Sequence, residues 1–146
     1  MSEPGPILGG MPDLDDIRRI VRRLPDAEER ERPSGTTWFV RGRMFAWVVQ
    51  PWPSIPDDMR EIIGTELVVS FKVAEHLDAQ ATKHTFPEIV LRETSKWVEP
   101  KIAVRMERVD HDHLVEIVTE AWRSQAPRAV RRAWEDDAGG SYGDSQ

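Results

Sequence analysis

The side chains able to do chemistry in this chain are few and scattered. His111 and His113 flank Asp112 in what the spacing predicts to be the first turn of a helix, where residues two apart project about 200° apart. They do not converge on one metal, and a solvated, helix-capping role is expected. His76 and His84 are isolated on a predicted surface helix. No H-E-x-x-H, phosphate-cradling Walker loop, dinucleotide glycine pattern or nucleophile elbow is present. The carboxylate pairs Glu28-Glu29, Asp57-Asp58 and Asp136-Asp137 lie in charge-rich, loop-like sequence, where the burial that raises a carboxylate pKa is not expected. Cysteine is absent, which removes disulfides, thiolate metal sites and cysteine nucleophiles. The expectation is no catalytic residue, no metal, no cofactor and no enzyme activity.

What the residues do offer is anion recognition. Sixteen of the twenty basic residues are Arg, the side chain suited to bidentate phosphate or carboxylate contacts. Arg41-Gly42-Arg43 joins two strand-like runs, Thr37–Val40 and Met44–Val49, with an Arg on either side of a hairpin tip whose glycine permits positive φ. Lys72, Lys101 and Arg105 point away from the apolar side of their strands. Arg128, Arg131 and Arg132 share one side of a short C-terminal helix. Trp52 and Trp97 are candidates for stacking. A coding bias toward Arg and an ordinary solvated turn account for the same residues without a ligand.

These groups need elements to position them. The longest signal is Asp110 to Trp134. Leu114, Ile117, Val118, Ala121 and Trp122 fall on one helical stripe, Asp110 is a natural N-cap, and Pro127 ends the run. Pro127 can also open the second helix, with Val130, Ala133 and Trp134 inward. A first helix is predicted from Asp13, its cap, to Pro25, its stop, with Leu14, Ile17, Val21 and Leu24 buried. Residues 26–36 read as a charged loop, and the proline-rich 50–56 segment as an extended link to a helical turn at 57–63. Residues 67–72 alternate as a half-buried strand, with Leu67, Val69 and Phe71 on one side and Val68, Ser70 and Lys72 on the other. Residues 73–84 suggest a surface helix with a weak Val73, Leu77 and Ala81 stripe. Phe86–Leu91 and Lys96–Glu99 suggest short strands, and 101–106 a strand with Ile102, Val104 and Met106 inward. The order implies an α+β, two-layer sandwich: a mainly antiparallel sheet with helices packed on one face and the other face open.

Length and charge fit one domain over residues 13–134, between a mobile leader at 1–12 and an acidic disordered tail at 135–146. The net charge is −6, but one acid (Glu3) lies in the leader and four (Glu135, Asp136, Asp137, Asp144) lie in the tail. Residues 13–134 are therefore at −1. Cysteine usage suits a cytoplasmic setting, and no segment is apolar enough to enter a membrane.

The succession LPDAEE (24–29), WFVRGRMFAWV (38–48), LVVSFKV (67–73), WVEPKIAVRM (97–106) and DHDHLVEIVTEAWRSQAPRAV (110–130) resembles the MmcQ/YjbR family of small bacterial proteins. The resemblance covers residues 13–134. It implies a CyaY-like (frataxin-like) fold and a DNA-binding role through wing-like hairpins, the first wing holding Arg41, Gly42 and Arg43. Arg43 and Arg128 stand where a lysine is common in the family, which keeps the charge. Frataxin-like iron binding uses an acidic first-helix ridge, and here the first helix is half arginine, which argues against it.

Two readings follow. In the first, the protein is a DNA-binding accessory or regulatory protein contacting double-stranded DNA phosphates weakly and salt-dependently through Arg41, Arg43, Lys72, Lys101, Arg105, Arg128, Arg131 and Arg132. In the second, it is a non-enzymatic module that binds a protein partner or small ligand on the open sheet face beside Trp97.

Overall fold

The computed structural model describes residues 12–53, 55–91 and 100–144. The first helix, α1 (Leu14–Val21), starts where expected. The Asp13 carboxylate accepts from the Asp16 backbone N–H at 3.2 Å and Asp16 returns the contact at 2.8 Å, a reciprocal capping box. Ile17, Ile20, Val21 and Leu24 are buried.

The charged segment expected as a loop is instead a strand, β1 (Ala27–Arg32), paired antiparallel with β2 (Gly35–Val40) across a Pro33-Ser34 turn. Its composition, AEERER, carries little intrinsic strand preference. Partners supplied by other elements hold it. The Trp38 indole N–H donates to Glu29 Oε1 at 3.0 Å, Arg18 of α1 donates to both Glu29 oxygens at 3.0 and 3.1 Å, Thr36 donates to Glu31, and Arg30 lies 4.6 Å from the Phe39 ring centroid.

From β2 the chain turns through Arg41-Gly42 into β3 (Arg43–Val48). Arg41 (φ 50°) and Gly42 (φ 82°) both adopt positive φ, the backbone of a two-residue turn whose twist matches its strands. Then come α2 (Asp57–Thr65), β4 (Val68–Lys72), α3 (His76–Thr85), β5 (Val90–Leu91) and β6 (Lys101–Arg105). The predicted Lys96–Glu99 strand lies outside the described residues. All pairings are antiparallel, in the order β1-β2-β3-β4-β6-β5.

Cross-strand register sorts the side chains onto two faces. Trp38, Ala46, Phe71 and Ile102 stand opposite one another on β2, β3, β4 and β6, with Val69 and Val104 one step along. This face meets α1 and α4 (His111–Gln125) in one core. The α4 stripe is the predicted one: Leu114, Ile117, Val118, Ala121 and Trp122 are all buried, and Asp110 caps the His113 N–H at 2.8 Å. The Trp122 indole N–H donates to the Pro25 carbonyl at 3.0 Å, tying α4 to the end of α1. The second C-terminal helix, α5 (Arg128–Asp144), is longer than the short one expected and runs on through the stretch assigned to the tail. Val130 is buried and Trp134 packs edge-on against Trp122 at 5.2 Å, whereas Ala133 is exposed.

Two expectations fail for the same reason, that tertiary contacts override a local pattern. In α3 the apolar Leu77 is 71% exposed, and Ala79, at 1%, is the residue that enters the core. The helix sits against β5 and β6, and a small side chain lets it approach closely. Strand β4 is not half-buried: all five residues are buried, Ser70 and Lys72 included. The face opposite α1 and α4 is therefore not bare.

Candidate functional site

That second face forms a groove. Thr37, Trp47, Ser70, Ala103 and Leu91 stand opposite one another in a row that crosses β2, β3, β4, β6 and β5, and all five line one cavity of about 480 Å³. Met59 and Ile63 of α2, with Ile55 of the proline-rich link, supply an apolar wall. Their spacing of four places Met59 and Ile63 on one side of the helix, and both are buried although they lie outside the main core. Ala79 and Lys83 of α3 line the opposite part, Arg32 and Ser34 the β1 end, and Trp52, 51% exposed, also contributes.

The polar groups of the groove are specific. Lys101 Nζ lies 5.9 Å from the Trp47 ring centroid, within cation–π range. Thr37 Oγ1 donates to the Gly35 carbonyl at 3.3 Å. Ser70 is 2% exposed, yet its hydroxyl makes no hydrogen bond among the described residues. Gly35 (φ 115°) is required twice over: a Cβ there would stand 2.7 Å from Gln50 Nε2, so the missing side chain admits the Gln50 amide to the groove wall. Three cations (Arg32, Lys83 and Lys101) line the cavity, and among its described lining residues there is no carboxylate.

The cations singled out from sequence are placed differently from one another. Arg41 is exposed at the hairpin tip, where its Nε donates to Asp26 Oδ2 at 2.6 Å. Asp26 is itself at positive φ (58°), so the two strained turns face each other through this pair. Gly42 has open space around it, and Arg43 is exposed at the start of β3. Lys72 is 8% exposed and lies across from Lys101 in register. Burial holds its pKa below the ordinary lysine value, and the neighbouring charges of Arg43 and Lys101 add to the effect. Arg105 forms a two-pronged pair with Glu66 in which Nε meets Oε1 at 3.0 Å and Nη2 meets Oε2. That contact raises the Arg105 pKa and lowers that of Glu66. On α5, Arg128 and Arg132 are exposed, while Arg131 Nη1 donates to the Arg123 carbonyl at 3.4 Å.

The fold thus gathers Arg43, Lys72 and Lys101 near one end of the sheet. It leaves Arg105 engaged with Glu66, and keeps the α5 arginines with the helical layer. Trp97 lies outside the described residues. The His113 ring packs at a tilt against Phe86, centroids 4.4 Å apart, and no group of three or more His, Asp or Glu able to hold a metal occurs among the described residues. No helix among them is long and apolar enough to cross a membrane.

Reading the sequence alone missed Thr37, Trp47, Lys83, Ala103 and Leu91 as site residues. Alternation in 67–72 did separate Ser70 from the core face. The rest of the row depends on register between five strands, which no single segment encodes.

A family model described as YjbR matches residues 22–124. The crystal structure of the Deinococcus radiodurans protein DR2400, family-model domain DUF419, superposes with a TM-score of 0.58 at 18% identity, covering 85% of this chain and 88% of that one. At that identity the likeness speaks to fold. No curated protein matches the chain in sequence.

Proposed function

Because the chain belongs to the YjbR family, whose α+β fold here leaves a recessed groove on the sheet, we propose that it is a small-ligand-binding module and that the groove is its site. The observation that carries this reading is the five-strand row Thr37, Trp47, Ser70, Ala103 and Leu91 forming one wall of a 480 Å³ cavity faced by Met59 and Ile63. Such a volume falls in the range of about 300–1,000 Å³ typical of small-molecule sites, which are mostly apolar with a few convergent polar groups. No catalytic role is assigned to any residue.

The competing reading is duplex DNA bound through the Arg41-Gly42-Arg43 wing. Its support is the exposure of Arg41 and Arg43 at a protruding turn. Against it stand the Asp26 carboxylate on Arg41 and the glutamates of neighbouring β1. Lys72 is also buried and Arg105 is held by Glu66.

One pair of titrations separates the two. A fragment set titrated into ¹⁵N-labelled protein is expected to shift the amides of Thr37, Trp47, Ser70, Ala103 and Leu91 together. Fluorescence anisotropy with a mixed-sequence duplex, at low and near-physiological salt, is expected to show little binding. Duplex binding that weakens steeply with salt and is lost in Arg41→Ala/Arg43→Ala, with no fragment shifting the groove, would reverse the assignment.

A further inference from the structure

We infer that the groove takes a small aromatic carboxylate. The carboxylate is held by Lys101 and the Ser70 hydroxyl on the floor and by Lys83 on the α3 wall, and the ring lies between Trp47 and the Met59 and Ile63 wall. This rests on the groove being a ligand site, and three independent features carry it further.

The first is charge. Three cations, Arg32, Lys83 and Lys101, line this cavity. Cations set in a low-dielectric wall favour an anion, because such a wall strengthens the attraction that water would screen.

The second is the Ser70 hydroxyl. A buried hydroxyl without a partner is costly and calls for an explanation. Ser70 faces Trp47 on one side and Ala103 on the other. Lys101 stands diagonal to it, at the spacing of about 7–8 Å that a long side chain can bridge. A carboxylate oxygen at this corner accepts from the hydroxyl and from the Lys101 ammonium at once, and the three N–H donors of an ammonium allow it to serve more than one acceptor. Lys83, one helix wall away, offers a second charge to the other oxygen.

The third is the apolar remainder. Trp47 presents an aromatic face, and Met59 and Ile63 close on the same space. Aromatic and thioether side chains favour a planar, polarisable ring over a branched aliphatic chain. Trp52, half exposed, extends the aromatic lining outward.

The test uses the full chain, ¹⁵N-labelled, with 2-naphthoate and its neutral counterpart 2-naphthamide as probes. Affinities are taken from backbone and indole shifts. Naphthoate is expected to bind about ten-fold tighter, the gain of one charge-assisted contact, with shifts at Trp47, Ser70, Ala103 and Leu91. Lys83→Gln and Lys101→Gln are each expected to reduce that preference while naphthamide affinity stays within about two-fold, a residual that reflects the apolar wall alone. Equal affinity of the two probes in the groove overturns the carboxylate assignment and leaves the groove a ligand site. The carboxylate assignment also falls if naphthoate binds more tightly but shifts residues elsewhere, or if the preference survives both lysine substitutions. No groove shift with either probe overturns the ligand-site reading as well.

Discussion

Replacing Ser70 with Ala is expected to raise the melting temperature of the ligand-free protein, and replacing Thr37 with Val is expected to lower it. The two hydroxyls belong to the same cross-strand row and each residue is 2% exposed. They differ in one respect: Thr37 Oγ1 donates to the Gly35 carbonyl at 3.3 Å, whereas the Ser70 hydroxyl has no hydrogen bond among the described residues. Burying an unpaired hydroxyl costs about 1–3 kcal/mol. Ser70→Ala removes that penalty and gives up the dispersion contacts of one oxygen, worth less than about 1 kcal/mol. The net gain is about 1 kcal/mol, or about 2–4 °C for a domain of this size. Thr37→Val keeps shape and loses one long hydrogen bond, a cost of about 0.5–1 kcal/mol. Differential scanning calorimetry of the three proteins without ligand reads both signs. A Ser70→Ala protein that melts at or below the wild type would refute the reasoning, because the hydroxyl would then already be satisfied in the empty groove. The same substitution should weaken 2-naphthoate binding, so that stability and binding move in opposite directions.

Three further outcomes follow from contacts elsewhere in the fold. Glu66→Gln, which leaves Arg105 facing an uncharged amide in a mostly buried setting, is expected to cost about 2 kcal/mol at neutral pH in urea unfolding. The Arg105 hydrogen bonds lower the Glu66 pKa below its ordinary 4.5. The stabilisation is therefore fully present above that value and is lost as pH falls through the lower folded-state pKa, so wild type and variant should converge in acid and differ by a constant amount above about pH 6; divergence in acid would count against the pair. Gly42→Ala meets no neighbouring atom, so its cost is that of a side chain at φ 82°, about 1 kcal/mol. A Gly42→Ala protein unfolding at the wild-type urea midpoint would mean that the turn relaxes freely. Asp110→Ala removes the acceptor for the His113 N–H and should cost about 1 kcal/mol by the same assay, with an unchanged midpoint arguing against the cap.

How much of this molecule was legible in its sequence depended on how local each determinant is. The Asp13 cap, the Asp110 cap and the five-residue stripe of α4 are set by neighbours three to eight residues apart, and they stand where the spacing puts them; the return contact from Asp16 that completes the capping box is added by the structure. The Arg41-Gly42 turn was equally local, although the positive φ at Arg41 as well as Gly42 was not anticipated. Strand β1 was illegible because Glu29 and Glu31 look solvated until Trp38, Arg18 and Thr36 are brought to them. The buried face of α3 was misread because contact with β5 and β6 selects Ala79 over the more hydrophobic Leu77. The groove was the least legible feature. Ser70 was correctly set on the face away from the core, but Lys83 and Leu91 reach the same cavity only through register and topology.

The sheet order also bears on kinetics. Strands β1 to β4 are sequential neighbours, whereas β6 pairs between β4 and β5 although both precede it in the chain. The β4–β6 ladder joins residues as far apart as Val68 and Arg105, a long loop to close, so this half of the sheet should form after the β1–β4 meander. The groove floor spans both halves and exists only when the last strand is in place. A bound ligand should therefore leave the refolding rate unchanged and slow unfolding, so that all of its equilibrium stabilisation is read in the unfolding rate.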